Sequence, residues 1–292
     1  MFKRNVFIAL LVAMLLLVGC TNDSGMRTEQ PAPQSKTENT SKGDQDAKDG
    51  TDAKKDVKGE TVELNVSAAI SLSDVLKEVA ETYEKDHPNV RITYNLGASG
   101  SLQRQIEQDA PVDLFISAGK PQMDALVEQQ LIDKAQTATL VHNALVLIQP
   151  AEADQELKGM KDLTTDKVTQ LAVGEPESVP AGNYSRQALE HFKLWDKLQP
   201  KIVFAKDVRQ VLTYVETGNV DAGLVYHSDA LSTDAVSIVE TVDSASHDPI
   251  EYPIGIVKKT AHIKEAEQFY NYLLSEKTAP LFEKYGFDPA SN

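Results

Sequence analysis

From Thr61 onward, short β-branched runs alternate with stretches that are apolar on one helical face. Thr61–Ala69, TVELNVSAA, predicts a strand. Leu72–Lys85 has apolar residues at Leu72, Val75, Leu76, Val79, Ala80 and Tyr83, the spacing of a helix buried on one side. His87-Pro88-Asn89 stops it. The pattern then predicts a strand over Val90–Leu96, a short helix over Leu102–Gln108, a nearly all-apolar strand over Val112–Ser117 and a helix over Pro121–Gln129. Thr139–Gln149, TLVHNALVLIQ, is an unusually long strand signal, followed by a loop over 151–168. Next come strand Gln170–Val173, helix Tyr184–Lys193, strand Lys201–Phe204, helix Val208–Glu216, strand Ala222–Val225 and a possible strand over Val236–Val242. Glu251–Val257, EYPIGIV, reads as a strand whose proline suits an edge or a bend. Helices near Ile263–Leu274 and Ala279–Tyr285 close the chain, and Gly286 is a good stop for the second.

This order is α/β with parallel-sheet character. It holds more strands than one minimal sheet needs, with long connections near 140–150 and 245–257. Two lobes follow, each a mostly parallel sheet flanked by helices, joined by two hinge strands around a cleft. The expected boundaries are 61–144 for the first part of lobe 1, 145–248 for lobe 2 and 249–292 for the return to lobe 1.

The first sixty residues are of another kind. MFKRNVFIALLVAMLLLVGC places Lys3 and Arg4 before an apolar run that ends at Gly19-Cys20, the grammar of an export signal. The run is slightly short for a full membrane span. Gly19-Cys20 resembles the lipobox of bacterial lipoproteins, in which the thiol is acylated and cleavage leaves the cysteine first. That resemblance implies a signal peptide over 1–20 and a lipid anchor on Cys20. The alternative is an uncleaved transmembrane anchor. Residues 21–60 have no aromatics and few large aliphatics, too little apolar surface to offset the entropy of ordering. They predict a flexible tether.

Charge and cysteine usage narrow the function. The chain carries a formal charge of -15 with no basic cluster, which argues against nucleic acid. Cys20 is the single cysteine, so disulfides and thiolate metal sites are excluded from the body. The six histidines form no HExxH pair. There is no GxSxG elbow, GxxxxGK[ST] loop or GxGxxG loop.

In open α/β sheets, ligands sit beyond the carboxyl ends of strands, where helices begin. Those junctions are rich in Ser, Gly and Ala: Ala69-Ile70-Ser71, Gly97-Ala98-Ser99-Gly100, Ser117-Ala118-Gly119, Val179-Pro180-Ala181-Gly182, Lys206-Asp207-Val208 and Val225-Tyr226-His227. Neutral donors at several helix starts suit a small oxyanion, held by hydroxyls, aligned amides and helix dipoles. The plainer reading of each serine is helix capping. Arg104 and Arg209 read as helix-face or interlobe ion-pair residues, Asp207 as a helix cap, and Asp113 as an acceptor of nearby amides.

The same stretches resemble the molybdate-binding component of bacterial molybdate ABC importers, a periplasmic-type solute-binding family. The matching segments are SAAISL at 67–72, ASGSLQRQIEQDAPVDLFISA at 98–118, LAVGEPESVPAG at 171–182, DVRQVLTYVETGNVDAGLVYHSDA at 207–230, DPIEYPIGIV at 248–257 and FEKYGF at 282–287. The resemblance implies a two-lobed, periplasmic-binding-protein-like fold of type II. It also implies a non-enzymatic receptor with no cofactor, whose ligand is molybdate or tungstate. Its site residues here would be the hydroxyls and amides of Ser71 and Ser99, the backbone amides of Ala181 and Val208, and the Tyr226 phenol. Molybdenum would enter only as the oxyanion. The family's usual Ser-Ser-Ser reads Ala98-Ser99-Gly100 here, and Ile70 replaces a common alanine. Implied partners are an ABC permease with its ATPase, and the membrane through lipid on Cys20. A monomer is expected on the extracytoplasmic face of a single-membrane, Gram-positive-type cell. The alternatives are a receptor for sulfate, phosphate or another oxyanion, and an exported α/β hydrolase.

Overall fold

The computed structural model describes residues 61–290. The signal, Cys20 and tether readings fall on residues outside that range. The first half of the fold starts with β1 (Val62–Ala69), a single 3-10 turn over Ile70–Leu72, α1 (Ser73–Asp86), β2 (Val90–Gly97), α2 (Ser99–Glu107), β3 (Leu114–Ile116), α3 (Lys120–Glu128) and β4 (Ile132–His142). β5 (Leu145–Pro150), β6 (Leu171–Gly174), α4 (Pro180–His191), α5 (Trp195–Leu198), β7 (Ile202–Ala205), α6 (Val208–Glu216), β8 (Ala222–Tyr226), α7 (His227–Ala230) and β9 (Val236–Thr241) follow. The chain then returns through β10 (Glu251–Val257), α8 (Ile263–Leu273), α9 (Ala279–Lys284) and β11 (Asp288–Pro289).

These strands build two sheets, β11-β4-β10-β3-β1-β2 and β7-β6-β8-β5-β9. Each is a mixed sheet with a parallel trio at one edge: β1 pairs in parallel with β2 and β3, and β6 pairs in parallel with β7 and β8. The other strands join antiparallel.

The long apolar signal over Thr139–Gln149 is two strands of different sheets. Asn143 and Ala144 separate them, and Asn143 Oδ1 accepts the Ala144 N–H at 2.8 Å, a local turn that interrupts the strand. β4 also begins earlier than the pattern predicts, at Ile132. Residues 133–136 are mostly polar and exposed, and they bulge out of the ladder between the β10 pairings of Ile132 with Val257 and of Thr137 with Gly255. β10 itself is interior, between β3 and β4, so the edge alternative for its proline does not hold and the bend does. The register against β4 shifts at Tyr252/Pro253, while the Pro253 carbonyl accepts from Ser117 N–H on the other side. The ladder therefore tolerates the missing N–H.

Packing follows the alternation of each strand. Leu114 and Ile116 point into the main core with Leu72, Val75, Leu76, Val79 and Tyr83 of the first helical segment. Phe115 points the other way, into a separate cluster with Leu102, Ile106, Met123 and Leu126 under α2 and α3. Each such side chain contributes roughly 1.5–3 kcal/mol on burial. That outweighs an exposed pair such as Lys120–Asp124, whose kind contributes at most about 1 kcal/mol. Gly286 has φ +79° and ends α9 as expected, since only glycine takes that angle without strain.

Candidate functional site

The carboxyl ends of both parallel trios face one small cavity. β1 delivers Ala69, Ile70 and Ser71, β2 delivers Gly97, Ala98 and Ser99, and the segment after β3 delivers Ala118. From the second sheet, the segment after β6 brings Val179, Pro180 and Ala181, α6 brings Val208, and the end of β8 brings Tyr226. The cavity volume is about 10 Å³, about the space of one water. All five site residues suggested by the sequence line it. None of the lining residues is charged. A groove of about 410 Å³ lies nearby between Lys120, Asp124, Asn183, Asp248 and Glu251, but its lining mixes charges of both signs and carries three carboxylates.

Neither serine caps a helix. Ala69 and Ala98 occupy the cap positions, without side-chain cap bonds. Ser99 Oγ accepts the Ala118 N–H at 2.9 Å, which leaves the hydroxyl hydrogen of Ser99 to give. Ser71 Oγ lies 3.0 Å from the phenol oxygen of Tyr252. Val208 is the first residue of α6 and Ala181 the second of α4, positions whose N–H groups have no acceptor inside their own helix. Pro180 suits the first position of α4 because that position needs no N–H. Three helix starts, those of α2, α4 and α6, thus bring positive dipole ends to one point.

Tyr226 is 1 % exposed and donates to the Ala118 carbonyl at 3.2 Å. Its ring packs edge-on against Tyr252, 5.6 Å between centroids. Burial pushes both phenols well above their ordinary range, so both stay protonated and able to donate. Tyr252 and Asn143 stand directly behind the cavity and were not singled out from the sequence. Ser71 and Tyr252 are 181 positions apart, and only the interior placement of β10 brings them together.

Charged neighbours are paired with one another rather than aimed at the cavity. Arg209 Nη2 meets Asp74 Oδ2 at 2.7 Å, from the half that holds the other sheet, and Arg209 Nε lies 2.7 Å from Asp229 Oδ1. That second N–H does not point along the line to the oxygen, so the Asp229 contact is an ion pair without a well-formed hydrogen bond. Arg104 donates to Ser101 Oγ at 3.1 Å. Asp207 accepts from Gln210 N–H as the cap of α6, at 2.8 Å. Asp113 accepts from the Asn65 N–H and the Thr260 hydroxyl. Among the described residues, no group of three or more His, Cys, Asp or Glu is placed to hold a metal ion.

The halves touch around the cavity. Gly100 N–H donates to Ser178 O at 3.0 Å, and Tyr226 and Arg209 add their contacts to Ala118 and Asp74. A sequence profile of the bacterial extracellular solute-binding proteins matches residues 64–288. The chain belongs to that family. YvgL of Bacillus subtilis (strain 168), whose name assigns it provisionally to the ABC transporter substrate-binding lipoproteins, is 44% identical over 288 residues, covering 98% of this chain and 99% of its own. The molybdate-binding protein ModA of Escherichia coli (strain K12) is 39% identical over 235 residues, 77% of this chain and 88% of its own. The solved periplasmic molybdate-binding protein of Azotobacter vinelandii superposes with a TM-score of 0.71 at 25% identity, covering 78% of this chain and 100% of that one. The fold is thus that of the periplasmic-type binding proteins, and the chain is a solute receptor of the transport kind, not an enzyme. The hydrolase alternative falls with it.

Proposed function

We propose that this receptor captures molybdate, and tungstate with it, in the cavity between the two sheets. The observation that carries the reading is the uncharged cavity lined by Ser71, Ser99, Ala181, Val208 and Tyr226, in a chain of net charge -15. A dianion placed there meets hydroxyl and amide donors with no lining carboxylate to repel it. Exclusion of water by the surrounding contacts strengthens each of those bonds. Ser99 donates its free hydroxyl hydrogen, Ser71 does the same, Ala181 and Val208 offer first-turn amides, and Tyr226 offers its phenol.

In this reading 61–144 with 249–292 forms one lobe and 145–248 the other, and ligand capture closes them about the crossings near Asn143 and Ile250. The closed receptor, a monomer, docks on an ABC permease driven by its ATPase. Acylated Cys20 holds it at the extracytoplasmic face of the cell membrane, as the lipoprotein name of the B. subtilis relative supports. That arrangement suits a single-membrane cell. No helix among the described residues is long and apolar enough to cross a membrane. Calorimetric titration with molybdate is the test: saturable one-to-one binding supports the proposal, and no detectable heat at millimolar ligand ends it.

A further inference from the structure

Behind Ser71 lies a chain of polar side chains whose far end, Asn143, has a fixed orientation. Asn143, in the crossing between β4 and β5, accepts the Ala144 N–H at Oδ1. A backbone N–H only donates, so this contact settles which end of the amide is oxygen. The Nδ2 end therefore faces the other way, where it lies 2.9 Å from Ser228 Oγ and 3.3 Å from Tyr252 Oη. Tyr252 is fully buried, and its phenol keeps its proton. Tyr252 Oη accepts from Asn143 and keeps one hydrogen of its own, and Ser71 Oγ lies 3.0 Å from it, a contact in which either hydroxyl can donate. Ser71 lines the cavity.

We propose that Asn143 and Tyr252 are positioning residues, running a one-way hydrogen-bond chain that commits Ser71 to act as a donor toward an oxyanion. This inference rests on the oxyanion reading above. A serine hydroxyl can present either a hydrogen or a lone pair, and a lone pair aimed at a dianion repels it. Donation from Tyr252 fills one of the two acceptor sites of Ser71 before any ligand arrives and keeps the Ser71 hydrogen from being spent on Tyr252, so that hydrogen stays available to the cavity. Successive donors also polarise one another, which makes the last hydroxyl a stronger donor than an isolated serine. Because the Asn143 amide also donates to Ser228 of α7, the chain is anchored on both halves at their crossing.

The test is titration of molybdate into the full chain, held in detergent, for wild type, Ser71→Ala, Tyr252→Phe and the double variant, with ligand-free melting recorded for each. Tyr252→Phe is expected to weaken binding about three- to tenfold. In the Ser71→Ala background the same change should cost less than about twofold, because the phenol acts only through that hydroxyl. Equal losses in both backgrounds make Tyr252 a packing residue and overturn the inference, as does unchanged affinity in Tyr252→Phe. Should Tyr252→Phe fail to fold, Asn143→Ala replaces it, with the same dependence on Ser71 expected and an additive loss again overturning the chain. Wild type that binds no molybdate removes the oxyanion reading and this inference together. Wild-type binding with an additive cycle removes this inference alone.

Discussion

Ser99 and Tyr226 line the same cavity but hold their hydrogens differently. Ser99 Oγ already accepts the Ala118 N–H, so its hydrogen is unspent, whereas the Tyr226 hydrogen goes to the Ala118 carbonyl. A ligand gains a new bond from Ser99 but only an exchanged one from Tyr226. Ser99→Ala is therefore expected to lower molybdate affinity by about 1.5–3 kcal/mol and Tyr226→Phe by less, about 0.5–1.5 kcal/mol. Calorimetry of the two variants checks the order, and the reverse order contradicts it. Asp229 gives a second test at this scale. It is fully buried, and burial raises its carboxyl from 3.8 to about 6 in spite of Arg209 beside it. A carboxyl raised in this way binds protons more tightly folded than unfolded. Its contribution to stability is present below about pH 4 and is lost as pH rises through about 6. The melting temperature of wild type relative to Asp229→Asn should thus fall between about pH 4 and pH 6 and then level off. A difference that rises over that window would show that Arg209 holds the carboxyl low instead. The strand-to-helix junctions that line the cavity were legible in the sequence pattern, whereas the choice of Ser71, Ser99, Ala181, Val208 and Tyr226 within them came from the resemblance to the molybdate-binding family. Asn143 and Tyr252 were not legible, because their roles depend on contacts between segments far apart in the chain.

Among the elements, the starts of α2 and α4 come closest across the cleft. Gly100 donates its N–H to Ser178 O, and a Cβ on Gly100 would lie 2.7 Å from that oxygen and 2.9 Å from Ser178 Cα. Both are backbone atoms that cannot swing aside. Gly100→Val should block this approach at a cost of about 1–3 kcal/mol, appearing as a loss of molybdate affinity of about five- to 160-fold. Ligand-free stability should change by less than about 1 kcal/mol, because valine is no worse than glycine inside a helix. Full affinity in that variant would show that the contact is not needed for binding. Helices with one apolar face, such as α1 and α6, follow closely from the spacing of their apolar residues. β4 and β10 do not. β4 begins as early as Ile132 because that residue pairs with Val257 of β10 across a bulge of mostly polar residues, and the proline of β10 is accommodated by a register shift that no local pattern reveals.

Across the whole molecule, the sequence pattern anticipates two α/β halves with two crossings, and the two sheets realise them. What it leaves open is how far the halves close, because that depends on single close approaches such as Gly100 to Ser178. Retention is separable from capture in this account. Cys20→Ser should leave molybdate affinity unchanged while moving the protein from the membrane fraction to the medium, and loss of affinity would tie the anchor to the site. Selectivity has to come from fit. Molybdate and sulfate are both tetrahedral dianions, so a fixed set of neutral donors separates them by the size of the space it encloses. Titration of the wild-type protein with molybdate, tungstate, sulfate and phosphate under one set of conditions tests this most directly. The account predicts tight binding of molybdate and tungstate with little or no heat from sulfate or phosphate, and sulfate affinity comparable to that of molybdate would contradict it.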